Sequence, residues 1–441
     1  MKKSRSVLFS LLGMGALSLP LVAASCGGSG ESSDVADYIN KEERVAVVKE
    51  KSELTAEKLA NKEIPSIVLV TDEGRVTDKS FNQSVWEGLL AFRDQVKSLN
   101  AEASVEVSSV EPKGGAYAAT YDALIGQGQK IWILSGFNHS NSITNYIKDT
   151  KKRKLLDDLG VTIISIDFSL PEDVNYPRFY GLNFKTQESA YIVGQAVAEF
   201  LSTKYESDTQ KRYVSTFGGG DFPGVTDYMI GYLEGVYNYD QTATNKTKVS
   251  EVKGSDSLVI DSGFQVNDDM GNAIRKALAD ANPLPMAILP VAGPGTAETI
   301  KQIDAAKLPT LVIGVDVDQS KSLAQSAGKF MTSVTKNMAQ AVYDTLLYTV
   351  FGVDPNNVFA GKAADKPFNH LGTKKEGWVG YAPSTLSDQA DRDKMNALLD
   401  KYNTAFNALS EQEIAEKTKT SEGETKGIAY ANSIYKKINA L

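Results

Sequence analysis

The chain has 441 residues, of which 42% are apolar and 23% charged, with a net charge of −8, two histidines and one cysteine. That length suits two domains of ordinary size, and the composition is that of a globular protein. The acidic balance argues against nucleic acid as a partner, because phosphate binding needs clustered Lys and Arg. A single cysteine excludes a disulfide within the chain.

At the N-terminus Lys2, Lys3 and Arg5 precede an apolar run from Val7 to Ala24, which ends in Ala-Ala-Ser-Cys at Cys26. A basic region, an apolar region and small residues, in that order, make a secretory signal over residues 1–25. An uncleaved membrane anchor is the competing reading, since the run is nearly long enough to span a bilayer. The lone cysteine at the cleavage point resembles a bacterial lipobox, with Ala23 where Leu is usual. That resemblance implies that Cys26 is lipidated, placing the protein on the extracellular face of the cell membrane. Two acyl chains, at about 0.8 kcal/mol per buried methylene, would hold it there. Residues 26–63 then read as the lipidated cysteine and a tether, flexible through GGSGESSD and helical from Lys41 to Ala60, with packing as part of the domain as the competing reading. No later segment is long and apolar enough to cross a bilayer.

From Ile64 onward, short apolar β-branched runs alternate with helical patterns. The expected strands are 66–71, 104–109, 131–135, 161–167, 212–217, 257–261, 287–290 and 310–315, followed by 330–335 and 377–381. Expected helices include 82–97, 117–127, 188–202, 224–237, 271–280, 295–307 and 338–351. This alternation predicts an α/β fold in which each of two lobes is a parallel sheet flanked by helices, with a ligand cleft between them. Residues 64–182 plus 320–351 form the first lobe, and 183–316 plus 352–382 the second. The chain crosses between them near Leu182–Phe184, Asp316–Gln319 and Gly352. Residues 383–441 form a C-terminal helical extension, packed outside and remote from any site.

The segment from Ile67 to Leu89 is the richest in candidate chemistry. A buried strand ends in Thr71-Asp72-Glu73-Gly74, and after a polar loop a helix opens near Phe81-Asn82. In open α/β folds ligands bind at the carboxyl ends of the strands. An aromatic ring, a carboxamide and the carboxylates of Asp72 and Asp78 can stack on a flat ring and bond its edges. A capped strand–loop–helix without a ligand fits the same residues. Gly314-Val-Asp316-Val-Asp318-Gln319 closes another strand with carboxylates suited to vicinal hydroxyls, and Lys336 follows the next strand. One short carboxylate pair is thin for calcium, and no spaced His and Cys cluster suggests a metal. Two glycine loops, Phe217-GGGDFPG and Gly293-Pro-Gly-Thr, lack the P-loop and dinucleotide signatures. They offer backbone N–H groups at helix N-termini or, equally, tight turns with no ligand. His139 follows a strand end and could face a cleft, though a surface loop is the commoner setting. With two histidines and no nucleophile elbow, a catalytic role is not expected.

Several segments together resemble the basic membrane protein (BMP) family of lipoproteins, which includes purine nucleoside receptors, the substrate-binding subunits of ABC transporters. These are TDEGRVTDKSFNQSVWEGL, the strand-end Gly136-Phe137, FGGGDFPGVTDYMIGYLEGV, LPVAGPGT, VIGVDVDQ and MTSVTKN, in the family's order across about residues 64–382. With the Lys-rich leader, the chain looks like a mycoplasma lipoprotein. The resemblance implies a two-lobe periplasmic-binding-protein-like fold that binds a nucleoside, with a purine as the expected base, and hands it to an ABC permease. It implies a monomer with no cofactor and no catalysis. Phe81 would stack on one face of the purine and Tyr228 on the other; Asn82 and Asp72 would bond the base edge. Gly136 belongs to the same cleft. Asp316 would accept from the ribose hydroxyls, with Lys336 beside it and the backbone at Gly293 nearby. A sugar or other small polar ligand on the same fold, or a surface antigen without a transport role, are the competing readings.

Overall fold

The computed structural model describes residues 38–60, 62–72, 74–354 and 357–441. The expected secretory signal, Cys26 and the first part of the tether lie outside the described residues. In chain order, β1 (Ile67–Thr71), β2 (Val107–Val110), β3 (Ile131–Ser135), β4 (Thr162–Ile166) and β5 (Phe179–Phe184) belong to one sheet. The next five, β6 (Tyr213–Gly218), β7 (Lys248–Val249), β8 (Ala287–Val291), β9 (Leu311–Asp316) and β10 (Phe330–Lys336), belong to another. Strand β11 (Phe368–Gly372) returns to the first sheet and β12 (Val379–Tyr381) to the second, completing six strands in each. The orders are β11-β5-β4-β3-β1-β2 and β12-β10-β9-β8-β6-β7. Within these two sheets every pairing is parallel except β10 with β12.

The physical origin of these sheets is plain in β1 (IVLVT) and β3 (IWILS), where all five positions are buried. A parallel sheet is covered by helices on both faces, so its strands are apolar throughout rather than alternating. The α/β, two-lobe expectation is borne out.

Strand membership differs from the expected parse in several places. The 330–336 strand lies in the second sheet and β11 in the first, the reverse of their expected assignment. The expected 257–261 strand contributes only an isolated bridge between Phe217 and Val259. Strand β5, FYGLNF, was not expected, since Gly181 and Asn183 interrupt its apolar pattern. Its glycine is required by a close approach: a Cβ there would lie 2.7 Å from Asn369 Oδ1 and 3.0 Å from the Phe168 carbonyl.

The chain crosses between the sheets three times. After β5 it enters helix Thr186–Lys204, which shares the second lobe's core with helix Pro223–Asp240. After β10 it enters helix Met338–Phe351, which packs in the first lobe's core against helix Phe81–Leu99. The third crossing joins β11 to β12. Only the first coincides with its expected position; the other two lie at 336–338 and 372–379, instead of at 316–319 and 352. Both crossing helices meet their partners backbone to backbone. A Cβ at Gly194 would lie 2.1 Å from Tyr232 O, and one at Gly88 2.5 Å from Ala339 O. Each helix thus docks against a helix of the lobe it has crossed into, which fixes where the crossings leave the strands.

Both ends of the described chain depart from the expected picture. Residues 38–60 are not a loose tether with a long helix, but a docked segment with helical turns only at Lys41–Glu43 and Ala56–Leu59. Val45, Leu54 and Leu59 are buried, and the latter two join the first lobe's core. At the other end, helices Gln389–Asn407 and Gly427–Ala440 complete the second lobe's core through Leu399, Tyr430 and Ile434. The last helix also touches the glycine loop after β6: Ile428 N donates to Asp221 Oδ1 at 2.9 Å. The extension is therefore adjacent to a cleft loop, contrary to expectation.

Candidate ligand site between the two lobes

Strands β1, β3 and β4 of the first sheet and β8, β9 and β10 of the second end at one cavity of about 130 Å³. All eight residues expected from the sequence line it: Asp72, Phe81, Asn82, Gly136, Tyr228, Gly293, Asp316 and Lys336. They come from both lobes and from positions 264 residues apart, between Asp72 and Lys336, so the fold alone brings them together.

The first-lobe wall is built around the N-terminus of helix Phe81–Leu99. Asp78 accepts from the backbone N–H groups of Ser80, Asn82 and Gln83, at 2.9, 2.9 and 3.1 Å. It satisfies orphan donors of the first helical turn, as a capping carboxylate does. Burial nevertheless pushes its acid strength down, raising its pKa against those hydrogen bonds. Asn82 Nδ2 donates to Asp78 at 3.1 Å, and Ser135 Oγ donates to Asn82 Oδ1 at 3.0 Å, so the carboxamide is held from both ends. Asp72 rests over Gly136, where φ is +116° and a Cβ would lie 1.9 Å from Asp72 Oδ2. Only glycine fits beneath that carboxylate.

The second-lobe wall is built around Asp316, a non-glycine residue at φ +67° and 7% exposed. That conformation is costly for a residue with a Cβ, by roughly 1–3 kcal/mol, and is a hallmark of functional sites. Its carboxylate accepts from the Tyr228 hydroxyl at 2.9 Å and from Ser80 Oγ of the opposite lobe at 3.0 Å. Burial first, and then the Asp316 charge, keeps Tyr228 far above its ordinary pKa, so the phenol remains a donor.

Lys336, at the end of β10, donates to Asp167 Oδ2 at 2.7 Å, with both side chains almost wholly buried. Asp167 follows β4 and also adopts positive φ, +69°. Burial raises its pKa more than Lys336 lowers it. The ammonium lies 5.1, 5.7 and 5.5 Å from the ring centroids of Phe81, Phe184 and Tyr228, within cation–π range. At the rim, Phe137 of the first lobe stacks on Phe222 of the second, with centroids 4.8 Å apart and planes 7° apart. Ser80–Asp316, Asp167–Lys336 and Phe137–Phe222 all tie one lobe to the other.

Asp167, Phe137, Phe222 and Ser80 escaped the sequence reading. Asp167 had a usable signal, since it closes a strand with a carboxylate just as Asp72 and Asp316 do. Phe137 and Phe222 stood in quoted motifs, but a ring beside glycine does not announce its partner. His139 proves to be neither in the cleft nor on the surface. It is fully buried, accepting from the Tyr121 hydroxyl at Nδ1 (2.7 Å), with Nε2 donating to the Val70 carbonyl (3.1 Å). Burial lowers its pKa to about 4, so it is a neutral core residue that secures β1.

Among the described residues, no group of three or more His, Cys, Asp or Glu side chains could hold a metal ion, and no helix is long and apolar enough to cross a membrane.

Residues 66–256 match the family model for "ABC transporter substrate-binding protein PnrA-like" (Bmp), the family indicated by the motifs. An uncharacterized lipoprotein of Mycoplasma genitalium is 21% identical over 402 residues, covering 71% of this chain and 67% of its own length. The CD4+ T-cell-stimulating antigen of Listeria innocua is 25% identical, covering 68% of this chain and 78% of itself. The ABC transporter nucleoside-binding protein BmpA of Lactococcus lactis is 25% identical over 168 residues, 38% of this chain and 42% of BmpA. Among solved structures, an ABC transporter solute-binding protein from Aeropyrum pernix superposes with a TM-score of 0.56 at 18% identity, covering 81% of this chain and 90% of its own. A transcriptional activator of the comK gene from Bacillus halodurans superposes at 0.51 and 13%, covering 78% and 98%. These two establish the shared two-lobe fold.

Removing the ammonium alone would strand a buried carboxylate, at a cost of about 3–5 kcal/mol. Lys336→Met should therefore lower stability by that order in chemical denaturation, and Asp167→Asn in the same chain should recover much of the loss. Independent, additive effects would show that the two groups do not act as a pair. Half-buried Asp227 lies beside them, its pKa pushed up to about 7 by burial, with Lys336 opposing and Asp167 adding. A carboxyl whose folded pKa exceeds its unfolded value binds more protons in the folded state, so its contribution to stability falls as pH rises from about 4 to 7. The melting temperature of Asp227→Asn should therefore decline less than that of the unaltered chain between pH 5 and pH 8.

Proposed function

We propose that this protein, a PnrA-like ABC transporter substrate-binding protein over residues 66–256, captures a purine nucleoside between its lobes and delivers it to a membrane permease. The observation that carries this reading is the convergence of two kinds of group on one cavity. Phe81 with the apolar side chains of Val225, Val291 and Val315 offers a surface for a flat ring, while Asp72, Asn82, Asp316 and Lys336 offer directional polar groups. Aromatic faces favour planar heterocycles, and carboxylates at fixed positions favour N–H and O–H donors.

Asp72, held over Gly136, accepts from a base N–H, and this favours inosine or guanosine over pyrimidines. Each Asp316 oxygen already accepts one hydrogen bond but has lone pairs for a second, so a ribose hydroxyl can be added without breaking the existing ties. Lys336 donates one of its three N–H groups to Asp167 and has others for the sugar. Tyr228, almost wholly buried, orients the Asp316 carboxylate through its hydroxyl; the rings at the rim supply further stacking surface. The BmpA relative bears a nucleoside-binding name, which supports the ligand class. Lipidation at Cys26 would anchor a monomer on the outer face of the cell membrane, in keeping with the lipoprotein name of the mycoplasma relative. The family is one of binding proteins rather than enzymes, and the proposal includes no chemical step.

The cleft also sets a charge filter. Among the described residues, Asp72, Asp78, Asp167 and Asp316 line it with Lys336 as the single cation, and that cation is already paired. A phosphate dianion would meet like charge, which costs affinity and gives discrimination by repulsion.

Calorimetric titration should show inosine or guanosine binding at one site per chain. Uridine, 2′-deoxyinosine and inosine 5′-monophosphate should each bind at least about tenfold more weakly, a difference of about 1.4 kcal/mol. Phe81→Ala should lose about 1–3 kcal/mol of affinity, the range for stacking a base on an aromatic ring. Uridine or a hexose binding as tightly as inosine would overturn the ligand assignment.

A further inference from the structure

The segment between the expected anchor and the first lobe is wired into the ligand loop. Residues 38–60 lie along helices Phe81–Leu99 and Met338–Phe351, held largely through their own main chain. Val45 N and Ala46 N donate to the two oxygens of Glu87 at 3.1 and 2.7 Å. Lys49 N donates to Gln340 Oε1 at 2.7 Å, and Lys51 N to the Tyr343 hydroxyl at 2.8 Å. Arg44 forms a buried ion pair with Asp94 at 2.6 Å.

Glu87 is fully buried, and its position makes it a junction. One turn earlier on the same helix, Gln83 Nε2 donates to Glu87 Oε1 at 2.8 Å. The other end of that carboxamide accepts from Lys79 N at 3.0 Å. Lys79 is held at φ +57°, an unfavourable conformation for a residue with a Cβ. Gln83 N in turn donates to Asp78, the same carboxylate that binds Asn82 through both its backbone and its side chain. An unbroken series of hydrogen bonds therefore runs from the backbone at 45–46, through Glu87 and Gln83, to the turn at Lys79–Ser80 and the cavity wall at Asn82. Ser80, in that turn, is also the residue that reaches across the cleft to Asp316.

We propose that residues 38–60 are a positioning strap. Docked on Glu87, the strap fixes the orientation of Gln83 and so holds the 78–83 turn in the geometry that presents Asn82 and Ser80 to the cleft. Glu87 is a positioning residue, with no contact to the cavity. A carboxylate is needed there because three N–H donors converge on it and none can be accepted by an N–H group in return. With the strap undocked, Glu87 would lose two of its three donors and open to water, and Gln83, no longer fixed by a docked carboxylate, could rotate away from Lys79 N. The turn would then lose the bond that stabilises its left-handed residue. Ligand affinity would thereby depend on a segment that leads toward the membrane.

The consequence for affinity rests on the nucleoside reading, whereas the mechanical coupling does not, so the test reads both. Ala46→Pro removes one strap donor without touching the helix, and Glu87→Gln keeps the buried shape but turns one acceptor into a donor. Amide hydrogen exchange on the whole ligand-free protein should show at least tenfold faster exchange at Lys79, Ser80, Asn82 and Gln83 in either variant. The glycine loop at 217–224 should be unchanged. Inosine affinity should fall at least fivefold in the same variants. Faster exchange with no inosine binding in any form would uphold the strap and overturn the ligand reading. Strap amides at 45–51 exchanging freely while 79–83 keep their original rates would overturn the strap. If Ala46→Pro does not fold, Glu87→Gln decides by the same comparison.

Discussion

The cleft is organised around one buried cation. Lys336 stands where carboxylates from both sheets converge, paired with Asp167 and ringed by Phe81, Phe184 and Tyr228. Without it, closing the lobes would bring Asp167 toward Asp316 in a site almost sealed from water, where like charges repel strongly. With it, each carboxylate has a partner: Asp167 takes the ammonium, and Asp316 takes the hydroxyls of Tyr228 and Ser80. Both carboxylates line the cavity. The closed arrangement is thus polar at its centre and aromatic at its rim, and the protein's own groups already supply part of the bonding a ligand would complete.

Connectivity places that cation at a crossing between the lobes. Lys336 is the last residue of β10, directly before the crossing into the first lobe's helix Met338–Phe351. The three crossings lie side by side between the sheets, and in two-lobe proteins such segments absorb the change in angle between open and closed forms. Any rotation there moves the ammonium relative to Asp167. The strap and the C-terminal helix each brace a loop that faces the same cleft.

Much of this was legible in the chain because it is local. The run Ile67–Thr71 followed by Asp72, and Val312–Val315 followed by Asp316, each display a buried strand delivering a carboxylate to its end. The seven residues from Ser80 to Trp86 show the helix that carries Phe81 and Asn82. What was hidden is what depends on pairing at a distance. Asp167 and Lys336 are 169 residues apart, and nothing near either one announces the other. Strand β5 was concealed by Gly181, whose small size matters only once Asn369 lies against it. The docking of the strap is hidden because it uses main-chain N–H groups, which every residue but proline possesses and no composition reveals. Its charge-rich sequence resembles a solvated tether; the acceptors that hold it, Glu87, Gln340 and Tyr343, lie on helices elsewhere.

The central claim, that this cleft is built for a nucleoside, is tested most directly by native mass spectrometry of the intact protein. The protein should be purified without a denaturing step and incubated with an equimolar mixture of inosine, guanosine, adenosine, uridine, glucose and ribose. The account predicts a complex of one chain with one purine nucleoside, which releases that nucleoside on activation in the gas phase. A complex with a free sugar in its place, or a chain that remains unliganded in the whole mixture, would contradict it.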